Sequence, residues 1–254
     1  MRVNTLGPLQ ITGETTLTVN AAKQRAVLAV LLVCAGRVVP VPRIVDELWE
    51  QAPPTAVGLV RQYVFHLRRA LAPARAGGLE IRTCFGGYQL TLPAEAGDAD
   101  EFRRLALQAH REFAAGRPAD ARHTTERALG LWRGPAFADV PAGRLVTAER
   151  ERLDEIRLGL EELGARSDLL TGDAAAAVGR LKALVAENPL REHLHEALVH
   201  ALLAAGRRAD ALAAYRCARS TIARELGLAP GKGLRRLERA IREDEEIAYD
   251  PPAA

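Results

Sequence analysis

The sequence predicts a mainly α-helical protein with a small β component, in which a domain of strands, three helices and a hairpin precedes an all-α domain of repeated helix pairs. Three patterns predict this fold. Short apolar alternations at the start favour strands, apolar residues three to four apart favour helices, and a glycine motif recurs in the second half. We therefore expect one domain over residues 1–93, a second over residues 94–250 and a tail over residues 251–254.

The first domain is predicted to begin with small strands, because the first twenty residues alternate in short apolar runs that Gly7-Pro8 and Gly13 interrupt. Residues 22–35 are then predicted to form a buried helix, since their apolar run is too short to cross a membrane. Pro42 suits the first turn of a second helix, where a missing N–H leaves no hydrogen bond unmade.

A third helix is predicted between Thr55, a residue type that caps helix N-termini, and the proline- and glycine-containing residues 73–78. Residues 79–92 alternate around Gly86-Gly87, which is typical of a β-hairpin. A helix followed by a hairpin lets one element enter a DNA major groove while the other reaches an adjacent groove or phosphates. The order of elements therefore predicts a winged helix-turn-helix domain that binds double-stranded DNA.

The third helix is predicted to bury one narrow stripe and to expose the opposite face. The stripe consists of Val60, Val64, Leu67 and Leu71. The exposed side offers an amide, an imidazole, guanidinium groups and one aromatic ring, and consists of Arg61, Gln62, Phe65, His66, Arg68 and Arg69. These groups suit base edges and phosphates. An ordinary solvated face is the alternative, but it explains an exposed phenylalanine poorly.

Individual roles on this face follow from side-chain chemistry. Arginine suits guanine, Gln62 suits adenine, and Phe65 suits a thymine methyl group. Arg68 and Arg69 are expected to bind phosphates, which position the protein without reading sequence. For His66, a base contact, a phosphate contact and simple packing all remain open.

The net charge of +3 is unevenly distributed. Residues 1–93 contain ten basic and five acidic residues, a net charge of +5, so the remainder is net negative. This asymmetry favours a polyanion-binding first domain, although ordinary surface composition would also produce it. The three cysteines include no close pair, which indicates neither a disulfide framework nor a zinc site and favours a reducing cytoplasm.

The second half contains an internal repeat. Gly116, Gly172 and Gly206 are each followed by alanine at the third and fifth positions. The last two glycines lie 34 residues apart, which is the tetratricopeptide period, whereas the first interval of 56 residues predicts an inserted segment. The alanines are expected to let paired helices approach closely. Unrelated helical hairpins are the alternative.

Two motifs imitate sites for other chemistry. His195, Glu196 and His200 approach a zinc-protease motif, but histidines five residues apart point about 140° away from each other on a helix. Residues 227–233 imitate a phosphate-binding loop, yet they are one residue short and lack Ser or Thr after Lys232, so a helix-ending turn is expected. No nucleophile or acid/base cluster is evident. We therefore expect no enzymatic activity, metal or cofactor.

Both halves resemble the SARP family of bacterial transcriptional activators, the antibiotic regulatory proteins. These join an OmpR-type winged helix to a bacterial transcriptional activator domain of tetratricopeptide-like helices. The resemblance rests on LGPLQI near the start, KQRAVLAVLL from Lys23, GRVVPVPRIVDELWEQAPPTA from Gly36, RALGLWRGPAFADV from Arg127 and the stretch beginning ENPLREHLHEAL at Glu187. These stretches occur in one collinear order over nearly the whole chain.

The resemblance implies activation of a secondary-metabolite gene cluster through direct repeats near the promoter −35 element. It implies a third helix in the major groove, a hairpin tip at residues 82–89 on DNA, and contact of Glu50, Gln51 and Ala52 with RNA polymerase. The full set of predicted DNA-binding residues is Arg43, Arg61, Gln62, Phe65, His66, Arg68, Arg69, Arg82, Thr83 and Gln89. Expected partners are promoter DNA, RNA polymerase holoenzyme and a second copy of the chain on DNA.

The chain departs from the family at the hairpin tip. Members often have Arg-Gly-Pro-Gly-Tyr where residues 84–88 are Cys-Phe-Gly-Gly-Tyr, and Ser-Arg where residues 65–66 are Phe-His. The DNA sequences that other members bind therefore cannot be transferred to this chain. The arginine missing from the hairpin tip also motivates an alternative function. The protein would then be a helical-repeat scaffold or a ligand-sensing regulator in which DNA binding is secondary.

Overall fold

The computed structural model describes residues 1–13, 16–17, 19–93, 95–141 and 143–243. These residues are mostly helical, with small sheets in the N-terminal part, which confirms the predicted fold class. They form two packed units. The first contains Met1–Ala106 and Arg127–Arg157, and the second contains Leu107–Glu126 and the chain from Leu158 onward.

Small antiparallel sheets belong to the first unit. The N-terminal sheet consists, in chain order, of β1 (Arg2–Asn4), β2 (Gln10–Thr12) and β3 (Thr16–Leu17). The second sheet consists of β4 (Val38–Pro40), β5 (Glu80–Cys84) and β6 (Gly87–Thr91), with β6 in the middle. Strand β4 is not evident from the sequence, because three residues show no clear alternation and their partner strand is distant in sequence.

The first three helices begin within one residue of where the sequence predicts them. They are α1 (Ala22–Val33), α2 (Val41–Leu48) and α3 (Ala56–Ala70). Residues 26–31 of α1 are all buried, so this helix forms the centre of the unit. A 3-10 helix, Ala72–Gly77, follows α3 and ends at Gly78, whose φ of 86° lies in the left-handed region that favours glycine.

Residues beyond the expected domain boundary at residue 93 bind the segment between β1 and β2. The carboxylate of Asp98, which is 2% exposed, accepts hydrogen bonds from Thr5 N at 2.7 Å, Thr5 Oγ1 at 2.9 Å and Leu6 N at 3.0 Å. Arg133 N donates to Leu6 O at 2.7 Å, and Phe137 N donates to Thr5 O at 2.8 Å. We call these contacts the Asp98 clasp. The first packed unit thus extends into the segment predicted to form the second domain.

Helix α6 (Arg144–Leu170) begins against α2. Leu145 N donates to Glu47 Oε2 at 2.9 Å, a favourable place for a carboxylate because helix N-termini carry partial positive charge. Gly143 permits this approach, since a Cβ there would lie 2.5 Å from Glu47 O. Truncation at residue 93 would remove this contact and the Asp98 clasp.

The repeat glycines lie in turns between helices. The helices are α4 (Asp98–Ala114), α5 (Pro118–Leu129), α7 (Ala174–Glu187), α8 (Glu192–Ala204), α9 (Arg208–Leu226) and α10 (Lys232–Glu243). Gly116 follows α4, Gly172 follows α6 and Gly206 follows α8, at φ values of 70°, 85° and 70°. Glycine suits all three turns, because this left-handed conformation strains other residues.

Only one of the two alanines in each repeat packs between helices. The alanines five residues after the glycine are 0% exposed: Ala121, Ala177 and Ala211. Those three residues after the glycine are exposed: Ala119, Ala175 and Ala209. Two positions two residues apart on a helix differ by about 200°, so they cannot face the same neighbour. The prediction of close packing is therefore right for the fifth position and wrong for the third.

A buried carboxylate connects three helices of the second unit. Asp168 of α6 has a side chain that is 0% exposed. Arg122 Nε of α5 lies 3.2 Å from its Oδ1, and Arg180 Nε of α7 lies 3.4 Å from its Oδ2. Burial raises the pKa of Asp168, and the two arginines oppose that shift.

The glycine-rich segment after α9 is a helix-ending turn, as predicted. Gly227 ends α9 with a φ of 66°. Carboxylates of α8 occupy the N-terminus of α10: Gly231 N donates to Glu192, and the backbone of Leu234 hydrogen-bonds Glu196. A phosphate bound at this helix end would need the place that the two glutamates fill.

The zinc-like motif has a structural explanation. His195 is buried, and its Nε2 lies 2.9 Å from Pro189 O. Burial lowers the pKa of His200. Within the described part of the chain, no group of three His, Cys, Asp or Glu residues could hold a metal ion. None of the described helices combines the length and apolarity needed to cross a membrane.

Candidate nucleic-acid interface

Helix α3 buries the stripe that its periodicity predicts. Val60, Val64 and Leu67 are at most 1% exposed, and Leu71 at the helix end is 4% exposed. This stripe fixes the rotation of the helix, so the opposite side chains point away from the first unit's core. Thr55 precedes the helix as predicted, but its side chain makes no capping hydrogen bond, which corrects the expectation of a side-chain cap.

The outward face of α3 is cationic. Arg61, Gln62 and Arg69 are exposed, and their side chains have no ion-pair or hydrogen-bond partner among the described residues. The residues of α3 include no Asp or Glu, so nothing within the helix neutralises the arginines. Phe65 is 57% exposed and makes an edge contact with His66 at a centroid distance of 5.6 Å. The face therefore presents the amide, guanidinium and aromatic groups that the sequence predicts.

Arg68 connects α3 to the hairpin of β5 and β6. Its Nε donates to Ile81 O at 3.0 Å, and its Nη2 donates to Thr83 Oγ1 at 2.7 Å. The guanidinium also lies 5.9 Å from the centroid of the Tyr88 ring. Arg68 thus fixes the hairpin relative to α3. A guanidinium has five N–H donors, so Arg68 keeps donors for a phosphate. That phosphate contact stays a prediction.

The hairpin carries its own charge cluster. Glu80 receives Arg82 Nε at 2.8 Å on one carboxylate oxygen and Arg75 Nη2 at 2.6 Å on the other. The hydrogen bond from Arg82 lowers the pKa of Glu80, so this carboxylate stays ionised between its arginines. Arg82 and Thr83 are exposed, whereas Gln89 is half-buried and donates to Gly36 O at 2.7 Å. Gln89 therefore has a structural partner, and DNA contact by these three residues stays a prediction.

Phe85 stands at the hairpin tip and is 106% exposed. It lies within the predicted tip range, but side-chain chemistry alone gives it no role there. Its signal in the sequence is an aromatic residue followed by Gly86-Gly87 in a predicted turn, since connecting segments lie on the surface.

The loop between α2 and α3 is exposed at Glu50, Gln51 and Ala52. Its base is anchored by Trp49, which stacks on Tyr63 of α3 at a centroid distance of 6.4 Å. This anchor holds the loop beside α3. Arg43 of α2 is also exposed and has no ion-pair partner among the described residues.

Comparisons with known proteins agree with this architecture. Residues 15–90 match the family described as "Transcriptional regulatory protein, C terminal". Residues 97–242 match the family described as "Bacterial transcriptional activator domain". The two matches follow one another along the chain without overlap.

Similar proteins are transcriptional regulators. The regulatory protein DnrI of Streptomyces peucetius is 38% identical over 99% of this chain and 96% of its own length. The transcriptional regulator RedD of Streptomyces coelicolor is 38% identical over 99% of this chain and 71% of its own length. A structure of Mycobacterium tuberculosis EmbR in complex with a low affinity phosphopeptide has a TM-score of 0.89 and 32% identity, covering 97% of this chain and 66% of EmbR. The chain therefore belongs to the SARP family of bacterial transcriptional activators.

Proposed function

We propose that the protein activates an antibiotic or other secondary-metabolite gene cluster by binding direct repeats near the promoter −35 element and recruiting RNA polymerase holoenzyme. The outward face of α3 carries this proposal. Its arginines lack acidic partners among the described residues, and the helix itself contains no acid. Duplex DNA supplies the missing anions and releases its counterions when they are neutralised.

Roles divide by side-chain chemistry. Gln62 and Phe65 read base edges in the major groove, where amides suit adenine and apolar groups suit the thymine methyl. Arg61 and His66 contact bases or phosphates, and the other predicted cations hold phosphates. Those cations are Arg43, Arg68, Arg69 and Arg82. Thr83 and Gln89 support the hairpin beside the DNA backbone.

Two copies bind head to tail on direct repeats. One small winged-helix module offers limited contact area, so a second copy on an adjacent half-site adds the affinity that one lacks. Half-sites about 10 to 11 base pairs apart place both copies on one face of the duplex.

The α2–α3 loop meets RNA polymerase. Glu50, Gln51 and Ala52 are exposed, and the stacking of Trp49 on Tyr63 fixes the base from which they project. The protein acts in the cytoplasm without a catalytic step, in keeping with three free cysteines and relatives named as regulators.

The salt dependence of promoter binding tests the proposal. We expect a slope of about −4 to −7 in log K against log salt per bound protomer, because each neutralised phosphate releases about 0.9 counterion. Gel shifts on the promoters of the protein's own cluster measure it. A slope near zero on these promoters would support the alternative, a helical-repeat scaffold or ligand sensor with secondary DNA binding.

Half-site orientation is tested with the same assay. Direct repeats one helical turn apart should bind the full chain more tightly than inverted repeats with the same half-sites and spacing. Tightest binding to the inverted repeat would contradict the head-to-tail arrangement.

A further inference from the structure

Phe85 leaves its whole ring in water. It is 106% exposed, whereas Phe102 and Phe137 of the same unit are 0% and 3% exposed. It occupies the turn in which Cys84 pairs with Gly87 across the hairpin. Burying an aromatic ring is among the larger apolar gains available to one side chain, so a partner that covered Phe85 would recover it.

The backbone beneath Phe85 is held in place. Gly86 has a φ of 75°, and its carbonyl accepts a hydrogen bond from Val41 N at 3.0 Å. Gly87 passes so close to β4 that a Cβ there would lie 2.2 Å from Val39 O. The tip therefore presents Phe85 outward from an anchored base, as a rigid projection.

The charges around the tip identify the partner. Arg82 is exposed on the same hairpin, and Arg68 ties the hairpin to α3, which contains no acid. A partner that covers an aromatic ring among arginines must combine negative charge with apolar faces. Duplex DNA does so, because phosphates border grooves in which an inserted ring can pack between base pairs.

We infer that Phe85 is an apolar wedge that enters the minor groove beside the site contacted by α3 and partly unstacks one base step. This inference rests on the proposed function, since it requires DNA on this face. Pyrimidine–purine steps unstack most easily, so the protein prefers a TA, CA or TG step at a position that α3 does not contact. Wedges of this kind kink DNA by about 20–90°.

Permanganate footprinting tests the wedge with the full chain and a promoter fragment that it binds. Permanganate oxidises thymines that have lost stacking, and every step favoured here contains a thymine on at least one strand. We expect a reactive thymine inside the footprint and the gel retardation of bent DNA on circularly permuted fragments. Phe85→Ala should lose both signals and bind about tenfold more weakly, which corresponds to roughly 1.4 kcal/mol.

Two variants serve as matched controls. Phe85→Leu keeps an apolar wedge and should retain the reactive thymine. Leu107→Ala removes an exposed apolar side chain of α4, outside the proposed interface, and should also retain it. Urea unfolding of each variant should match that of the parent, since neither side chain is buried.

The outcomes separate the wedge from the proposed function. A parent protein that binds promoter DNA without a reactive thymine, or Phe85→Ala protein that still produces one, overturns the wedge alone. A parent protein that fails to bind promoter DNA refutes the proposed function as well. Normal binding and bending by Phe85→Ala with lost activation would assign Phe85 to a polymerase contact and also overturn the wedge.

Discussion

The Asp98 clasp and the outward face of α3 belong to the same packed unit, but they differ in whether their charged side chains have partners within the protein. In the clasp, a carboxylate that is 2% exposed accepts three hydrogen bonds from Thr5 and Leu6. On α3, Arg61 and Arg69 are exposed without an ion-pair partner among the described residues. The partnered carboxylate stabilises the fold, whereas the cations without partners lie on the surface that we propose binds DNA.

The largest expected effect tests the structural side of this comparison. Asp98→Ala should lower the free energy of unfolding by about 3 kcal/mol, because it leaves buried donors of Thr5 and Leu6 without an acceptor. Asp100→Ala is the matched control, since that carboxylate is 61% exposed and should matter by less than about 0.5 kcal/mol. Urea titrations measure both, and equal losses would show that the clasp adds no stability.

The functional side is tested at the two α3 residues that we propose read bases. Gln62→Ala and Phe65→Ala should relax sequence preference by about 1 to 3 kcal/mol at one or two base positions. Arg69→Ala should instead weaken binding to all sequences alike. Competition gel shifts against single-base operator variants measure the difference. If the first two variants lose affinity equally on specific and random DNA, α3 is docked in another rotation.

Arg68 belongs to both sides of the comparison, so its replacement should affect both readouts. Arg68→Met removes the hydrogen bonds to Ile81 O and Thr83 Oγ1 and should cost about 1 to 2 kcal/mol of stability. DNA affinity should fall as well, because the hairpin loses its connection to α3. Arg61→Met is the control that should weaken binding at unchanged stability. Unchanged stability of Arg68→Met would mean that the connection contributes nothing.

The smallest expected change in affinity concerns the α2–α3 loop. Replacing both Glu50 and Gln51 with alanine should change promoter affinity by less than about 0.5 kcal/mol, as exposed positions usually do. Transcription with purified polymerase should fall several-fold, because the proposed polymerase contact is lost. A double variant that binds and activates like the parent would move the polymerase surface elsewhere.

The sequence predicted α3 and its faces well because the information is local. A period of 3.6 residues separates the stripe of Val60 and Val64 from Gln62, and the structure keeps that separation. The exposure of Phe65 was likewise predictable, because it lies opposite the stripe.

Non-local contacts account for what the sequence did not predict. Asp98 binds Thr5, which lies 93 residues earlier in the sequence, and no spacing rule connects residues so far apart. Strand β4 depends on pairing Val38 with Gln89. Arg68 lies at a phosphate-suited position on α3, but only the folded hairpin shows that its guanidinium also bonds Ile81.

The first unit is discontinuous in sequence, which has a consequence for its biosynthesis. Its last residues, Arg127–Arg157, supply the contacts of Arg133 and Phe137 to the segment between β1 and β2 and of Leu145 to Glu47. At about 5–20 residues per second, a ribosome needs roughly 3–13 s to advance from residue 93 to residue 157. During that interval the elements of residues 1–93 lack these contacts. A message cut short before residue 127 would therefore yield a chain that contains α3 but not the complete first unit.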